Sequence, residues 1–300
     1  MRYHAGTPVA DADSILILDG ATGTELARRG VDISLPLWSA RALLDAPEVV
    51  EAIHRDYLEA GAGAIITNTF RTHRRSLAKA GLGDQARALT HRAVEIARAT
   101  RDRVKPAAKV LGSVAPLEDC YRPDLAPSPQ ACMAEHAEII QDLLDAGVDD
   151  IVIETMSARH EAAAAAAVAD NLCPGRWMMS FCLKTDGPPG VLLQGATLVD
   201  MLPLLSGAHA VGVNCIDASK LTPQVELLRK LLPHRIRVAA YGNIGHADPD
   251  GSWTSSDALD PERYAAYARD WVRAGATIIG GCCGTTPETI RAMAGLTVEE

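Results

Sequence analysis

The sequence predicts an α/β protein that forms a single (β/α)8 TIM barrel with its active site at the C-terminal ends of the strands. Eight short apolar segments recur along the 300 residues, and stretches with helical periodicity separate them. Continuous apolar segments of this length are typical of parallel strands that are buried on both faces. No long linker interrupts the alternation, and single barrels commonly reach about 250 residues or more. These observations favour one closed barrel over two domains.

The predicted strands are short, rich in β-branched residues, and bounded by glycine or polar residues. They comprise residues 15–18, 64–67, 109–114, 150–153, 177–183, 210–213, 237–240 and 277–279. A doubly wound open sheet has the same alternation of strands and helices, and it is the less favoured alternative.

Glycines end three of the predicted helices, which span residues 47–60, 128–146 and 261–274. Pro47 suits the first turn of its helix, where a missing N–H costs nothing. Gly61, Gly147 and Gly275 each follow an alanine and precede a strand. We expect each glycine at the left-handed position after its helix, from which the chain turns into the next strand.

The composition argues against nucleic-acid and membrane partners. Asp and Glu total 38 against 29 Lys and Arg, so the formal net charge is -9. Nucleic acids and anionic membranes both require basic surfaces. No apolar segment approaches the ~18 residues that a membrane-spanning helix needs. We therefore expect small-molecule substrates, and the sequence is compatible with a homo-oligomer.

The N-terminus and the cysteines predict a cytoplasmic protein. Residues 1–14 contain Asp11 and Asp13 and lack the apolar segment of a signal peptide. About 13 of these residues are expected to be a short extension of a single domain spanning residues 1–300. The chain has seven cysteines, an odd number. In a reducing compartment, clustered cysteines bind metals or take part in catalysis more often than they form disulfides.

Polar residues follow several predicted strands, at the rim where barrel enzymes carry their active sites. They follow the first, fourth, sixth and eighth strands, so a closed barrel would bring them together over its axis. In chain order these residues are Asp19, Gly20, Thr22, Glu154, Asn214, Cys215, Cys282 and Cys283.

Three of the cysteines are placed to bind one metal ion. Cys215 follows strand six, and Cys282 and Cys283 follow strand eight. Adjacent residues of a regular strand point to opposite faces, so the glycines on both sides of the pair are expected to provide an irregular backbone. A set of three thiolates favours zinc, with one coordination position open as in catalytic sites. The spacing alone leaves open that these cysteines are merely small buried residues.

Five segments together resemble the homocysteine S-methyltransferase family, over residues 14–293. They are Leu18-Asp-Gly-Ala-Thr-Gly-Thr-Glu25, Leu37-Trp-Ser-Ala40, Asp150-Ile-Val-Ile-Glu-Thr155, Gly212-Val-Asn-Cys215 and Gly280-Gly-Cys-Cys-Gly284. The last two are the most specific. The family's fold is a (β/α)8 barrel, which agrees with the count of strands.

The resemblance implies a zinc-dependent enzyme that methylates the thiol of homocysteine to give methionine. It implies that Cys215, Cys282 and Cys283 are the Zn2+ ligands and act in catalysis through the zinc. It further implies substrate contacts from Asp19, Gly20, Thr22, Glu154, Asn214 and Trp38. Coordination to zinc removes the proton of a thiol, and the resulting thiolate attacks an activated methyl group in line.

The methyl donor is less clear from the sequence. Betaine-type relatives surround the quaternary ammonium with aromatic rings, as cation–π interactions require. Trp38 matches one such position, but Arg71 and Thr155 occupy two positions where those relatives have Tyr. A sulfonium donor, S-methylmethionine or S-adenosylmethionine, is therefore favoured. Betaine and a methyl-corrinoid on a separate protein are the alternatives. A zinc or thiol-redox barrel without transferase activity is the alternative of another class.

Other polar and cysteine-containing segments are not assigned to the site. Cys132, Glu135 and His136 have helical spacing and imitate a metal site, but they fall within a predicted peripheral helix. The segment 73–75, His-Arg-Arg, is expected on a solvated face. The remaining cysteines, Cys120, Cys173 and Cys182, are expected to be ordinary thiols.

Overall fold

The computed structural model describes residues 14–247 and 253–297, and these form one parallel barrel surrounded by helices. The strands are β1 Leu16–Ile17, β2 Ala64–Ile66, β3 Lys109–Val114, β4 Asp150–Met156, β5 Trp177–Phe181, β6 Ala210–Asp217, β7 Arg237–Asn243, β8 Gly245–Ala247, β9 Trp253–Ser255 and β10 Ile278–Gly281. The helices are α1 Gly23–Arg28, α2 Ala42–Asp45, α3 Pro47–Ala60, α4 Arg74–Ala78, α5 Ala86–Val104, α6 Pro129–Ala146, α7 Arg159–Leu172, α8 Leu198–Met201, α9 Thr222–Leu231, α10 Pro261–Arg273 and α11 Pro287–Met293. The predicted extension of about 13 residues lies outside the described residues.

Eight strands pair in parallel in the order β1-β10-β7-β6-β5-β4-β3-β2. The two ends of this sheet meet where Leu18, just after β1, forms a parallel bridge with Ala64 of β2. At the same junction the Gly63 N–H donates to the Ile17 carbonyl oxygen at 2.8 Å. The predicted barrel is therefore confirmed, and the open sheet is excluded.

The barrel has two separate apolar layers. One lies inside the strands and takes at least one buried side chain from each of seven strands and one, Leu18, from just after β1. Its members are Leu18, Ala64, Leu111, Val152, Met178, Ala210, Ala239, Tyr241 and Ile278. The larger layer lies between the strands and the surrounding helices. Cys282 packs against the inner layer, so the interior of the barrel is filled up to the level of the predicted site.

The predicted helix ends are confirmed at three glycines. Gly61, Gly147 and Gly275 have φ values of 119°, 89° and 104°, a conformation that costs glycine little. The helix predicted from residue 128 begins one residue later, because Ser128 caps it by accepting a hydrogen bond from the Ala131 N–H. Among the described residues, no helix is long and apolar enough to cross a membrane.

Three barrel strands extend three or four residues beyond their predicted apolar segments. β4 continues to Met156, β6 to Asp217 and β7 to Asn243, although the sequence predicted ends at residues 153, 213 and 240. The pairing register shifts after Ile153 and again after Asn214, so these extensions are irregular. Glu154, Thr155 and Cys215 lie within these shifts, outside the regular strand pairing. The apolar pattern therefore ends before the strand does.

Candidate active site

A cavity of about 570 Å3 opens at the carboxyl end of the barrel, within the size range of small-molecule sites. Its lining includes most of the predicted site residues: Gly20, Thr22, Trp38, Glu154, Cys215, Cys282 and Cys283. Asp19 and Asn214 are buried just behind this surface, with exposed fractions of 1% and 0%. The barrel therefore brings the eight predicted residues of the strand ends, and Trp38, into one region.

Backbone strain is concentrated in this cavity. Among the described residues, the non-glycine residues with positive φ are Trp38, Thr155 and Cys215, at 47°, 62° and 59°. All three line the cavity. Such conformations cost of order 1–3 kcal/mol and persist where the surroundings enforce them, most often at functional sites. Thr155 and Cys215 lie at the irregular ends of β4 and β6, so the strain turns their neighbours toward the barrel axis.

The three predicted cysteine ligands lie together at the bottom of the cavity. The Cys215 Sγ atom is 3.1 Å from Sγ of Cys282 and 4.0 Å from Sγ of Cys283. All three sulfurs lie within 4.8 Å of one another, as a shared metal ion requires. Zinc–sulfur bonds of about 2.3 Å in a tetrahedron separate sulfurs by about 3.8 Å. The observed distances fall on both sides of this value, so the cluster fits a metal ion.

The loop after β10 turns two adjacent cysteines to the same side. The Cys282 N–H donates to the Gly242 carbonyl oxygen at 2.7 Å, and the Cys283 N–H donates to Oδ1 of Asn243 at 3.0 Å. Gly284 has φ of 84° and supplies the irregular backbone that the sequence predicted. The two preceding glycines lie within β10 instead. A Cβ atom on Gly281 would lie 2.3 Å from Thr285 Oγ1, so packing excludes a side chain there.

The cysteine thiols share protons unequally. Hydrogen bonds from Cys282 and Cys283 lower the pKa of the Cys215 thiol well below its usual range. The same contact with Cys215 raises the pKa of the Cys282 and Cys283 thiols. Holding three thiolates together would require a cation to balance their charge.

Two buried carboxyl groups lie beside the sulfurs. Asp19 Oδ2 accepts a hydrogen bond from the Ile66 N–H at 2.9 Å, while its Oδ1 has no hydrogen-bond partner among the described residues. Glu154 Oε1 accepts from Ser113 Oγ at 2.6 Å. Neither carboxyl group forms an ion pair within the parts of the chain that the structure describes. Buried acids without a cation are costly, so this pair is suited to bind one from a ligand.

Burial shifts the pKa values of both carboxyl groups upward. Burial raises the pKa of Glu154 to about 7, against a hydrogen bond from Ser113 that lowers it. Burial also raises the pKa of Asp19, and the nearby charge of Glu154 raises it further. A bound ammonium group would reverse both effects, because it favours the ionised carboxylates.

Asn214 stabilises the site from behind. Its Oδ1 accepts hydrogen bonds from the Thr155 N–H at 3.0 Å and from Ser180 Oγ at 2.7 Å, and its Nδ2 donates to Thr155 Oγ1 at 2.8 Å. The side chain thereby joins the irregular ends of β4 and β6. The substrate contact inferred from the resemblance stays a prediction for Asn214.

Comparison with known proteins identifies the family. The model of the family described as homocysteine S-methyltransferase matches residues 16–297. The chain belongs to the homocysteine S-methyltransferase family. It is 35% identical to the homocysteine S-methyltransferase of Escherichia coli over 94% of this chain and 95% of that protein. It is 30% identical to the selenocysteine methyltransferase of Astragalus bisulcatus over 92% and 90%.

Solved structures of the same family agree with this fold. The metallated form of the homocysteine methyltransferase of Escherichia coli superposes with a TM-score of 0.81 at 33% identity, over 95% of this chain and 96% of that one. Its oxidised form gives a TM-score of 0.80 over 93% and 94%. The predictions of a (β/α)8 barrel and of a methyltransferase of this family are confirmed.

Some site residues of this methyltransferase were not predicted from its sequence. Phe70, Ser113, Cys120 and Tyr121 also line the cavity. The Tyr121 hydroxyl donates to the carbonyl oxygen of Cys215 at 3.3 Å. Cys120 and Tyr121 come several residues after the end of β3. Their position after a barrel strand is the one feature of the sequence that could have indicated a place in the site.

Two expectations about unassigned residues need correction. Cys120 lines the cavity, and Cys182 Sγ lies 3.9 Å from the carbonyl oxygen of Cys215, so both are neighbours of the cluster rather than unrelated thiols. The segment expected on a solvated face is partly buried, because His73 caps α4 by accepting a hydrogen bond from the Ser76 N–H. The two arginines that follow it form ion pairs with α6.

Cys132, Glu135 and His136 on α6, whose spacing resembles that of a metal site, lie outside the cavity. Glu135 pairs with Arg75 at 2.5 Å, and His136 Nε2 lies 3.4 Å from Glu161 Oε1. Cys132 donates to the carbonyl oxygen of Pro127. Each of these side chains has a neighbour in the fold, which agrees with their exclusion from the predicted site.

Proposed function

We propose that this protein transfers a methyl group to the thiol of homocysteine, giving methionine, with Zn2+ held by Cys215, Cys282 and Cys283. The observation that carries the proposal is the position of the three sulfurs beside two buried carboxyl groups that lack a cation. A thiol acceptor that also carries an ammonium group would satisfy both features. The relatives of this protein include proteins named as homocysteine and selenocysteine methyltransferases, and these two acceptors combine an ammonium group with a thiol or with a selenol.

The sulfur cluster fits the chemistry that such a reaction needs. Three thiolates leave one position of a tetrahedral zinc site open, and zinc there would remove the proton of the acceptor thiol, which is mostly protonated near neutral pH. Cys215, Cys282 and Cys283 line the cavity, so they would hold the ion where an acceptor bound in the cavity could reach it.

Asp19 and Glu154 position the acceptor. Asp19 Oδ1, which has no partner among the described residues, and the Glu154 carboxylate would accept hydrogen bonds from its ammonium group. Each such charge-assisted bond contributes about 1.5–3 kcal/mol. Gly20 and Thr22 line the same cavity. Fixing both ends of the acceptor orients its sulfur for in-line attack, which is the main contribution of positioning to the rate.

We propose a sulfonium as the methyl donor, either S-methylmethionine or S-adenosylmethionine. A sulfonium is intrinsically more reactive than a quaternary ammonium, so its transfer requires less from the protein. Arg71 and Thr155, which replace rings found in betaine-type relatives, both line the cavity. The missing rings at these positions favour the sulfonium.

Betaine is the second candidate, because other rings line the same cavity. Trp38 and Phe70 are in edge contact with ring centroids 5.4 Å apart, and Tyr121 lies in the same lining. Three rings suit either type of onium cation. A redox barrel without transferase activity is disfavoured, because it has no use for two buried carboxyl groups that lack a cation.

A donor comparison tests the proposal directly. Zinc-loaded protein is incubated with homocysteine and equal concentrations of S-methylmethionine, S-adenosylmethionine, betaine or a methyl-corrinoid, and methionine is measured as an initial rate. We expect the highest rate with a sulfonium and none with the Cys215→Ser variant. Methionine from no donor would overturn the proposed reaction. A betaine rate equal to or above both sulfonium rates would overturn only the donor assignment.

A further inference from the structure

Arg71 carries a positive charge into the cavity without an ionic partner. Its side chain lines the cavity, and its Nη1 donates to the backbone carbonyl oxygen of Glu118 at 3.3 Å. Its Nε is buried and has no hydrogen-bond partner in the described part of the chain. No described carboxylate forms an ion pair with it. By contrast, Arg74 and Arg75 pair with Glu138 and Glu135, each at 2.5 Å.

The neighbouring carboxylates are engaged elsewhere. The Glu118 side chain pairs with Arg75 at 3.3 Å and with Lys79. Asp119 lines the cavity but is exposed, and its Oδ1 accepts a hydrogen bond from the Tyr121 N–H at 2.9 Å. The Arg71 guanidinium lies over the Phe70 ring at 5.7 Å. The fold thus holds this cation at the cavity, while the side chain of Glu118, whose backbone it contacts, is paired with Arg75 and Lys79.

Arg71 belongs to the outer part of the cavity rather than to its bottom. The sulfurs and Glu154 come from strand ends, and Asp19 is bound to the N–H of Ile66, the last residue of β2. Arg71 follows Ile66 by five residues and contacts the loop after β3. It contacts the ring of Phe70, which packs against Trp38, and it contacts the loop that carries Tyr121. These three rings are the ones that suit the onium cation.

We propose that Arg71 binds the carboxylate of the methyl donor and so selects donors whose onium group and carboxylate are carried on one molecule. The inference rests on the proposed function, because it takes the donor to be an amino-acid sulfonium. A guanidinium presents paired N–H donors that match a carboxylate, and it cannot lose its charge. In this arrangement the rings contact the sulfonium while Arg71 holds the opposite end of the donor.

The test compares Arg71→Gln with Arg74→Gln, which makes the same charge change three residues away and outside the cavity lining. The donors are S-methylmethionine and its carboxamide, which keeps the sulfonium and ammonium groups but lacks the negative charge. Wild-type protein and Arg74→Gln should prefer the carboxylate donor by about 10- to 100-fold in kcat/KM, the range for a hydrogen bond between charged groups. Arg71→Gln should lose this preference, with the KM for homocysteine unchanged.

Three outcomes would overturn the assignment of Arg71. One is an equal fall for both donors, which indicates a structural role. Another is a change confined to the KM for homocysteine, which would indicate that Arg71 binds the carboxylate of the acceptor instead. The third is calorimetric binding of S-methylmethionine that is equal in wild-type protein and Arg71→Gln. Binding that depends on Arg71 without methionine formation would support the assignment and overturn the proposed reaction instead.

Discussion

Asn214 and Thr155 are joined by two hydrogen bonds across the end of the barrel, one from the Thr155 N–H to Asn214 Oδ1 at 3.0 Å and one from Asn214 Nδ2 to the Thr155 hydroxyl at 2.8 Å. Asn214 directly precedes Cys215 in the sequence, and Thr155 directly follows Glu154. The contact therefore couples the position of a sulfur to that of a carboxyl group. Neither irregular strand end can relax without moving the other.

This coupling predicts that Asn214→Ala lowers both stability and activity. The Thr155 N–H and the Ser180 hydroxyl would lose a buried partner, which costs about 1–3 kcal/mol of unfolding free energy. Denaturant unfolding measures the first effect, and kcat/KM for homocysteine measures the second. Ser180→Ala removes only one of these bonds and should be milder. Unchanged activity in a destabilised Asn214→Ala variant would show that the strand ends are not coupled.

We predict one zinc ion per chain, dependent on all three clustered cysteines. Elemental analysis of protein purified under reducing conditions should give a ratio near one for the wild type. Each of Cys215→Ser, Cys282→Ser and Cys283→Ser should reduce the bound zinc strongly, because serine lacks the soft thiolate. Cys173→Ser is the matched control, because it changes a buried thiol at the end of α7, outside the cluster. Wild-type protein that contains no metal and takes up none would contradict the ligand assignment.

Glu154→Gln and Asp19→Asn should retain zinc and weaken homocysteine binding by roughly 1.5–3 kcal/mol each. Both changes preserve shape, and the amide introduced by Asp19→Asn keeps an oxygen that can accept from the Ile66 N–H. A simple thiol without an amino group should be much less affected, since it lacks the ammonium that the carboxylates are proposed to bind. Equal losses with both thiols would mean that these residues do not contact the ammonium.

The raised pKa of Glu154 predicts a pH dependence of stability. The folded protein holds this proton up to about pH 7, whereas the unfolded chain loses it near the ordinary value of 4.5. The folded state therefore binds more protons between these values, and the unfolding free energy of metal-free protein should fall as pH rises through this window, by ~1–3 kcal/mol. Denaturant unfolding at several pH values measures it. Glu154→Gln should flatten the curve, and an equally steep curve in that variant would assign the effect to another group.

The sequence predicted the barrel because each strand and helix has its own local pattern, such as the apolar segment before Glu154 and the glycine after α6. It also predicted which residues meet at the rim, because parallel strands end on the same side. It did not predict Tyr121 as part of the cavity, and it placed Arg71 at the donor site only through the family resemblance. The position of Tyr121 depends on the loop after β3, held by Glu161, which accepts a hydrogen bond from the Leu117 N–H across 44 residues. Such long-range contacts leave no periodic pattern.

The bridge between Leu18 and Ala64 is the seam at which the ring of strands closes, and Asp19 lies on it through its bond to the Ile66 N–H. A residue proposed to hold the acceptor thus also helps to hold the first strand against the second. Occupancy of the pocket and closure of the ring are then thermodynamically linked. Amide hydrogens at residues 63–66 should exchange with solvent more slowly when homocysteine is bound, because the ligand would stabilise the closure between the first and second strands.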